Sequence, residues 1–344
     1  MTIKLNLALQ GGGAHGAFTW GVLDRLLEED GIEIAAISGT SAGALNAAAI
    51  KSGMIEGGRA GAREKLDWLW GQVGAVTAPG LSQWLSIWAP SAPWLARGME
   101  YSSTFAAFDA MSRMMSPYAF GPLFENPLSR VVSQLSFDEV CADDGPELHI
   151  CATNVRSGKI RVFTGHELSA DAILASACLP TLFRAVEITD PVTGTREAYW
   201  DGGYTGNPAL FPLFAPHLPD DILIVNINPI HREEIPTEPQ QIQNRINEIS
   251  FNSSLLRELR AIDFVQRLIA GGQVAEGQMK RVLVHMIADD ALMNALSVAT
   301  KLVPNPVVLA RLKDAGREAC GRFLETHRGD LGARSSTDLR AMFS

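Results

Sequence analysis

Two consecutive units of apolar strand, turn and helix open the chain and limit the folds available to it. The first unit has an alternating strand at Ile3–Leu9, three glycines at 11–13 and an amphipathic helix at Ala14–Glu28. The second has a short apolar strand at 31–38 followed by an alanine-rich helix at Ala42–Lys51. Strands that alternate with helices favour a mostly parallel sheet covered on both faces, so we expect an α/β fold.

The rest of the pattern extends this sheet and adds helices. Apolar runs and helical periodicity predict strands at 147–155, 158–165, 197–201, 221–227 and 281–287, and helices at 169–180, 240–270 and 307–326. The polar run at 252–254 predicts a break in the long helix. A length of 344 residues would suit about two domains.

Residues 62–125 differ from their surroundings in composition. Five of the seven tryptophans lie between Trp68 and Trp94, and several Met and Phe residues follow. We therefore predict an apolar helical insertion at about 62–125, and a helical C-terminal region at about 238–344. The rings of the insertion suit a lipid–water boundary near the site; ordinary core packing beneath a helical cap is the alternative.

Charge and cysteine usage exclude several classes of protein. The net charge is −9 and no cluster of Lys and Arg interrupts it, which argues against nucleic acid as a partner. The four cysteines form no C-x-x-C pair, and we find no metal-binding motif, so no cofactor is predicted. The N-terminal apolar run is too short for a signal peptide, and no stretch of ~18 uncharged apolar residues appears. We expect a cytoplasmic protein.

The second strand ends in a G-x-S-x-G sequence at residues 39–43, centred on Ser41. In a nucleophile elbow the serine occupies a strained turn between a strand and a helix, and small flanking residues avoid clashes with the neighbouring backbone. Both the strand and the helix are predicted here. The alternative is a tight turn in which Ser41 only caps the helix.

The glycine-rich loop after the first strand has two possible uses. Backbone N–H groups of Gly11, Gly12 and Gly13 could stabilise an oxyanion beside Ser41, because parallel neighbouring strands end at the same edge of a sheet. Gly11, Gly13 and Gly16 also satisfy G-x-G-x-x-G, a dinucleotide-binding pattern. That pattern requires an acidic residue at the end of the second strand, and none is present. Acyl transfer chemistry is therefore favoured over nucleotide binding.

A serine nucleophile requires a base, and none of the seven histidines lies in a supporting motif. His285 is predicted to be a core histidine because it lies inside an apolar strand. Asp201 ends another predicted strand and precedes two glycines. A buried carboxylate can act as the base when burial raises its pKa, whereas an Asp-Gly pair also suits a simple hairpin turn.

Together, "GGGAHGAF", "GTSAG", "SACLP" and "DGGYTGNP" resemble, in this order, the motifs of the patatin-like phospholipases, over about residues 5–210. The resemblance implies a three-layer α/β/α sandwich forming one domain over 1–344. It also implies a catalytic dyad of Ser41 and Asp201, with oxyanion N–H groups supplied by Gly12 and Gly13. The family usually has Arg or Lys where this chain has His15. That residue either only ends the loop or contributes a pH-dependent charge.

The sequence thus predicts a serine acyl-ester hydrolase of the lipid acyl hydrolase or phospholipase A type. Its expected partner is a lipid or acyl-ester substrate, with peripheral contact to a membrane through the apolar insertion. An acyltransferase that uses the same dyad is one alternative. A non-catalytic lipid-binding protein is another, although such a protein would need neither Ser41 nor Asp201.

Overall fold

A mixed β-sheet forms the centre of the molecule. The computed structural model describes residues 2–76, 116–120, 126–191, 193–275, 277–296 and 298–344. In these ranges the strands are β1 (Ile3–Leu9), β2 (Ile32–Gly39), β3 (Glu147–Asn154), β4 (Ile160–Thr164), β5 (Val186–Thr189), β6 (Arg196–Asp201), β7 (Asp221–Asn226) and β8 (Leu283–Ala288). Their spatial order is β5-β6-β3-β2-β1-β7-β8, with β4 also paired to β3. The pairs from β3 through β2, β1 and β7 to β8 are parallel, and β4, β5 and β6 are paired in antiparallel fashion.

Helices accompany this sheet along the chain. They are α1 (Gly16–Leu26), α2 (Ala42–Val76), α3 (Ser129–Val132), α4 (Phe137–Val140), α5 (Ala170–Ser176), α6 (Pro239–Ala270), α7 (Asp290–Ala295), α8 (Val298–Leu302), α9 (Pro306–His327) and α10 (Leu339–Phe343). The backbone of α2 leaves helical geometry at Gly57 and Gly58, where the helix is kinked.

Alternation of side chains along the strands produces two cores, one on each face of the sheet. In β1, Leu5, Leu7 and Leu9 face a core built with α1, α2, α5 and α9. Ala8, which points the opposite way, belongs to a second core with α6 and α10. Because successive strand residues point to opposite faces, both faces are covered by helices. The predicted three-layer α/β/α sandwich is confirmed.

Some predicted elements differ from the observed ones. The helix that begins at Ala42 runs to Val76, the edge strand β5 was not predicted, and α6 continues without a break through 252–254. Most of the predicted insertion, including Trp84 and Trp88, lies outside the described residues. The region 238–344 contains β8 as well as helices, and the single domain over 1–344 stays a prediction. Among the described helices, none has the length and apolar character that crossing a membrane would require.

Candidate active site

Strand pairing brings Asp201 to the end of β2. Strand β2 pairs with one edge of β3 up to the pair Gly39–Ile150. Strand β4 covers the other edge, where Ala152 pairs with Arg161. Asp201 also pairs with Ala152. Because β4 already occupies one edge of β3 at Ala152, β6 must lie on the opposite edge, the one along which β2 pairs and ends. The carboxylate of Asp201 therefore lies beyond the last residue of β2, where the turn that carries Ser41 begins.

Ser41 occupies a strained elbow. Its φ is 55°, and it is the only non-glycine residue with positive φ in the part of the chain that the structure describes. This left-handed conformation is unfavourable for L-residues other than glycine. The turn is closed by a 2.8 Å hydrogen bond from Gly43 N–H to the Thr40 carbonyl oxygen. A Cβ at Gly43 would collide with the Leu9 carbonyl, so the close approach to β1 requires glycine. The predicted elbow geometry is present, and Ser41 is 9% exposed.

Asp201 is a buried carboxylate with one free oxygen. Its Oδ1 accepts a 2.7 Å hydrogen bond from the Gly203 N–H, and the residue is 1% exposed. Its Oδ2 accepts no well-aligned hydrogen bond from the described residues, and the Ser41 side chain lies near enough to lower the pKa of the group. Burial raises the pKa of Asp201 to about 7, while the Gly203 N–H and the Ser41 side chain lower it. Such a group can take up and return a proton near neutral pH.

The glycine loop lies against the elbow, but its three N–H groups differ. A Cβ at Gly11 would lie 2.7 Å from the Ser41 Cβ, which shows how closely the loop approaches the serine. The Gly11 N–H donates to Asn207 Oδ1 across 2.6 Å. The prediction that Gly11 also supplies an oxyanion donor is therefore wrong for this N–H. The N–H groups of Gly12 and Gly13, unlike that of Gly11, have no acceptor in the described part of the chain.

A buried network of amide side chains holds the loop. The Gln10 side chain accepts from the Asn228 N–H across 3.0 Å and donates to Asn252 Oδ1 across 3.1 Å. Asn228 Nδ2 donates to the Gly11 carbonyl oxygen across 2.7 Å, and Asn207 N–H donates to Ser254 Oγ. Polar side chains of α6 thus anchor the helix on the loop, which explains why α6 continues where a break was predicted. The four amide residues are separated by up to 242 positions, so no local sequence signal joins them.

His15 follows the loop and is fully buried. Its Nε2 lies 2.8 Å from Thr300 Oγ1 in α8. Burial, together with the positive charge of Lys301, holds the pKa of His15 well below its usual range. The ring is therefore neutral at pH 7, and it ends the loop without adding positive charge to it.

His285 has structural partners on both ring nitrogens. His285, predicted to be a core histidine, lies 2.9 Å from both Asp221 Oδ1 and Ser336 Oγ. No cluster of three or more His, Cys, Asp or Glu suited to a metal ion occurs in the described ranges. A cavity of about 1260 Å³ lies between the end of α6 and residues 335–340, and neither Ser41 nor Asp201 lines it. The candidate chemistry therefore concentrates at the carboxyl edge of β1 and β2.

The fold and this edge define an α/β protein with a serine elbow beside a buried carboxylate. The family model for patatin-like phospholipases matches residues 7–214, which is more than half of the chain. The chain therefore belongs to the patatin-like phospholipase family, as the resemblance predicted. No curated protein matches it.

Two solved structures are similar to this chain at low sequence identity. VipD from Legionella pneumophila is 16% identical, and the match covers 94% of this chain and 67% of that chain with a TM-score of 0.43. A chain of the heterodimeric ExoU–SpcU complex from the type III secretion system of Pseudomonas aeruginosa is 18% identical. That match covers 99% of this chain and 65% of that chain with a TM-score of 0.29. This chain thus spans about two thirds of the length of each, and its family assignment rests on the family model.

Proposed function

We propose that the protein is a serine acyl-ester hydrolase that acts on lipids, with Ser41 as nucleophile and Asp201 as base. The observation that carries the proposal is the placement of a strained, nearly buried serine beside a buried carboxylate whose pKa is raised to about 7. A strained backbone and a desolvated carboxyl both cost stability. Their occurrence together supports a chemical role more than a structural one.

The first half-reaction uses the two residues as a pair. Ionised Asp201 accepts the proton of the Ser41 hydroxyl while Oγ attacks the acyl carbonyl carbon. The N–H groups of Gly12 and Gly13, together with the positive end of α2, stabilise the oxyanion of the tetrahedral intermediate. Asp201 then donates its proton to the leaving alcohol, and an acyl group remains on Ser41.

The second half-reaction releases the acid. A water molecule takes the place of the alcohol, and Asp201 removes a proton from it as it attacks the acyl carbonyl. Collapse of the second tetrahedral intermediate breaks the bond to Oγ and returns the proton to Ser41. The products are a fatty acid and an alcohol, and the sequence of steps requires no metal or cofactor.

Acyl transfer to an alcohol other than water is the second candidate, since only the acceptor in the second half-reaction differs. A non-catalytic lipid-binding protein is disfavoured because binding would not require strain at Ser41.

We further propose that the substrate is a fatty acyl ester presented at a membrane surface, which the protein contacts peripherally. The apolar composition of 62–125 supports this contact.

The test is mass spectrometry of Ser41 after brief incubation with phosphatidylcholine vesicles, together with measurement of free fatty acid. We expect a transient acyl adduct on the peptide that contains Ser41, and release of fatty acid by wild type but not by Ser41→Ala. Ser52→Ala is the matched control, because Ser52 is also buried but bonds to Glu56 and Glu139. Acyl ester formed on added glycerol in place of free acid would identify a transferase. Fatty acid release by Ser41→Ala at the wild-type rate would contradict both the hydrolase and the acyltransferase proposals.

A further inference from the structure

The last residue of α5 and the turn after it contact the backbone of both proposed dyad residues. The Ser41 N–H donates to the hydroxyl oxygen of Ser176 across 2.9 Å. The Asp201 N–H donates to the carbonyl oxygen of Cys178 across 2.8 Å. Ser176 and Cys178 are both fully buried and lie two residues apart. One short segment therefore connects two residues that are 160 positions apart in the sequence.

The buried position of Ser41 just before α2 makes the first contact necessary. Ser41 precedes the first residue of α2, so its N–H has no acceptor within the helix. A buried N–H without an acceptor is costly, and protein structures rarely tolerate it. The Ser176 oxygen provides the acceptor. Without it, the elbow could relax from a φ of 55° and displace the Ser41 hydroxyl.

The segment itself is firmly held, as a positioning element must be. Ser169 caps the start of α5 by accepting a hydrogen bond from the Ala172 N–H. Ala172, Ile173 and Ala175 are fully buried in the core that α5 shares with the sheet. Displacement of Ser176 would therefore require repacking of that core.

We infer that Ser176 is a positioning residue that keeps the Ser41 hydroxyl within reach of the Asp201 carboxylate. The inference rests on the proposed hydrolase function. It assigns a role to the "SACLP" segment, whose residues the proposed chemistry does not otherwise use. Ser176 acts through the backbone of Ser41 and contacts no reacting atom.

The experiment compares Ser176→Ala with Ser38→Ala. Ser38 is an equally buried serine in β2, and its hydroxyl donates to the Ala209 carbonyl oxygen across 2.6 Å without contacting either dyad residue. Hydrolysis of p-nitrophenyl butyrate, labelling of Ser41 by a fluorophosphonate and the melting temperature are measured for both. We expect Ser176→Ala to lower kcat by about 10- to 100-fold, the effect of a small misplacement of reacting groups. KM should be unchanged, and Ser38→Ala should keep the wild-type kcat per folded molecule.

The pH–rate profile separates positioning from a general loss of structure. The Ser41 side chain lowers the pKa of Asp201. Displacement of that side chain should therefore raise the apparent pKa of kcat/KM in Ser176→Ala and leave it unchanged in Ser38→Ala. The inference would be overturned if Ser176→Ala kept the wild-type pH–rate profile and lost no more kcat than Ser38→Ala does. If Ser176→Ala does not fold, Ser176→Cys, which has a similar volume and a weaker acceptor, is judged by the same criteria. Failure of the proposed function is distinct, since Ser41→Ala would then retain wild-type turnover.

Discussion

The Asn207 side chain bonds to both backbone polar groups of Gly11, its N–H and its carbonyl oxygen. Its Oδ1 accepts the Gly11 N–H across 2.6 Å, and its Nδ2 donates to the Gly11 carbonyl oxygen across 3.4 Å. The loop that carries Gly12 and Gly13 is thereby oriented by a residue that follows Asp201 by six positions. The same stretch of chain thus supplies the proposed base and supports the proposed oxyanion donors.

Replacement of Asn207 should therefore affect both catalysis and stability. We expect Asn207→Ala to lower kcat by roughly 10²-fold, as for loss of an oxyanion donor, and the free energy of unfolding by about 1–3 kcal/mol because a buried N–H is left unpaired. Asn305→Ala is the control, since Asn305 caps α9 through hydrogen bonds to the N–H groups of Val307 and Val308. Steady-state kinetics and urea unfolding compare the two. If Asn207→Ala and Asn305→Ala had equal kcat at equal stability, Asn207 would not orient the loop of Gly12 and Gly13 for catalysis.

The proposed dyad should behave as one unit. We expect Ser41→Ala and Asp201→Asn each to reduce kcat/KM by several orders of magnitude, and the double variant to be little worse than either, because residues that act together are not additive. Asp221→Asn is the control: Asp221 is also a buried carboxylate, but it bonds to His285 and the Gly332 N–H. Near-normal hydrolysis by Asp201→Asn, measured with p-nitrophenyl butyrate, would exclude Asp201 as the base.

Activity should rise with pH and level off above about pH 7, because Asp201 must be ionised to accept a proton and its pKa is raised to about 7. Glu258 offers a matched control. Burial also raises the pKa of Glu258 to about 7, but its carboxylate accepts from the N–H groups of Leu210 and Phe211. The pH–rate profile of Glu258→Gln should superimpose on that of wild type. A shift of the apparent pKa in Glu258→Gln would refute the assignment of this titration to Asp201.

The same titration predicts a stability change of defined sign. Between pH 3.8 and about 7, folded Asp201 retains a proton that the unfolded chain has released. Its contribution to the free energy of unfolding therefore falls as pH rises through this window and is constant above it. We expect Asp201→Asn to be more stable than wild type at pH 8, with a smaller difference at pH 5. Thermal unfolding at both pH values measures this, and a pH-independent difference would be inconsistent with the raised pKa.

His15 should not carry a catalytic charge. We expect the pH–rate profile of His15→Gln to superimpose on that of wild type, because the buried ring is neutral at pH 7. His15→Arg should lower the melting temperature, since it would bury a second cation near Lys301. A change in the profile of His15→Gln between pH 6 and 7 would show that the imidazole charge matters.

Contact with a membrane can be tested through the apolar insertion. We expect replacement of Trp84 and Trp88 by Ser to reduce hydrolysis of vesicle lipid while hydrolysis of a soluble ester is retained, because the indole rings would bury in the lipid interface. Trp20→Ser is the control, since Trp20 stacks on Trp70 with ring centroids 6.3 Å apart. An equal loss on both substrates with a lower melting temperature would make Trp84 and Trp88 core residues.

Local sequence was sufficient for the features that depend on neighbouring residues. Side-chain alternation in β1 and the G-x-S-x-G turn at 39–43 predicted the strand, the elbow and the position of Ser41. These features are local because strand alternation and turn sterics act over a few residues. The resemblance to the family then added Asp201, which an Asp-Gly turn alone would not have distinguished.

Tertiary structure was needed for everything that depends on contacts between distant segments. The Gly11 N–H, which the loop sequence also offered as an oxyanion donor, is occupied by Asn207, a residue 196 positions away. The raised pKa of Asp201 and the neutrality of His15 follow from burial, which only the packed chain creates. Hydrogen-bond partners and desolvation depend on the packed surroundings of a residue. Sequence motifs can therefore propose candidate reactive residues, but they cannot specify the ionisation of these residues or which of their polar groups lack a partner.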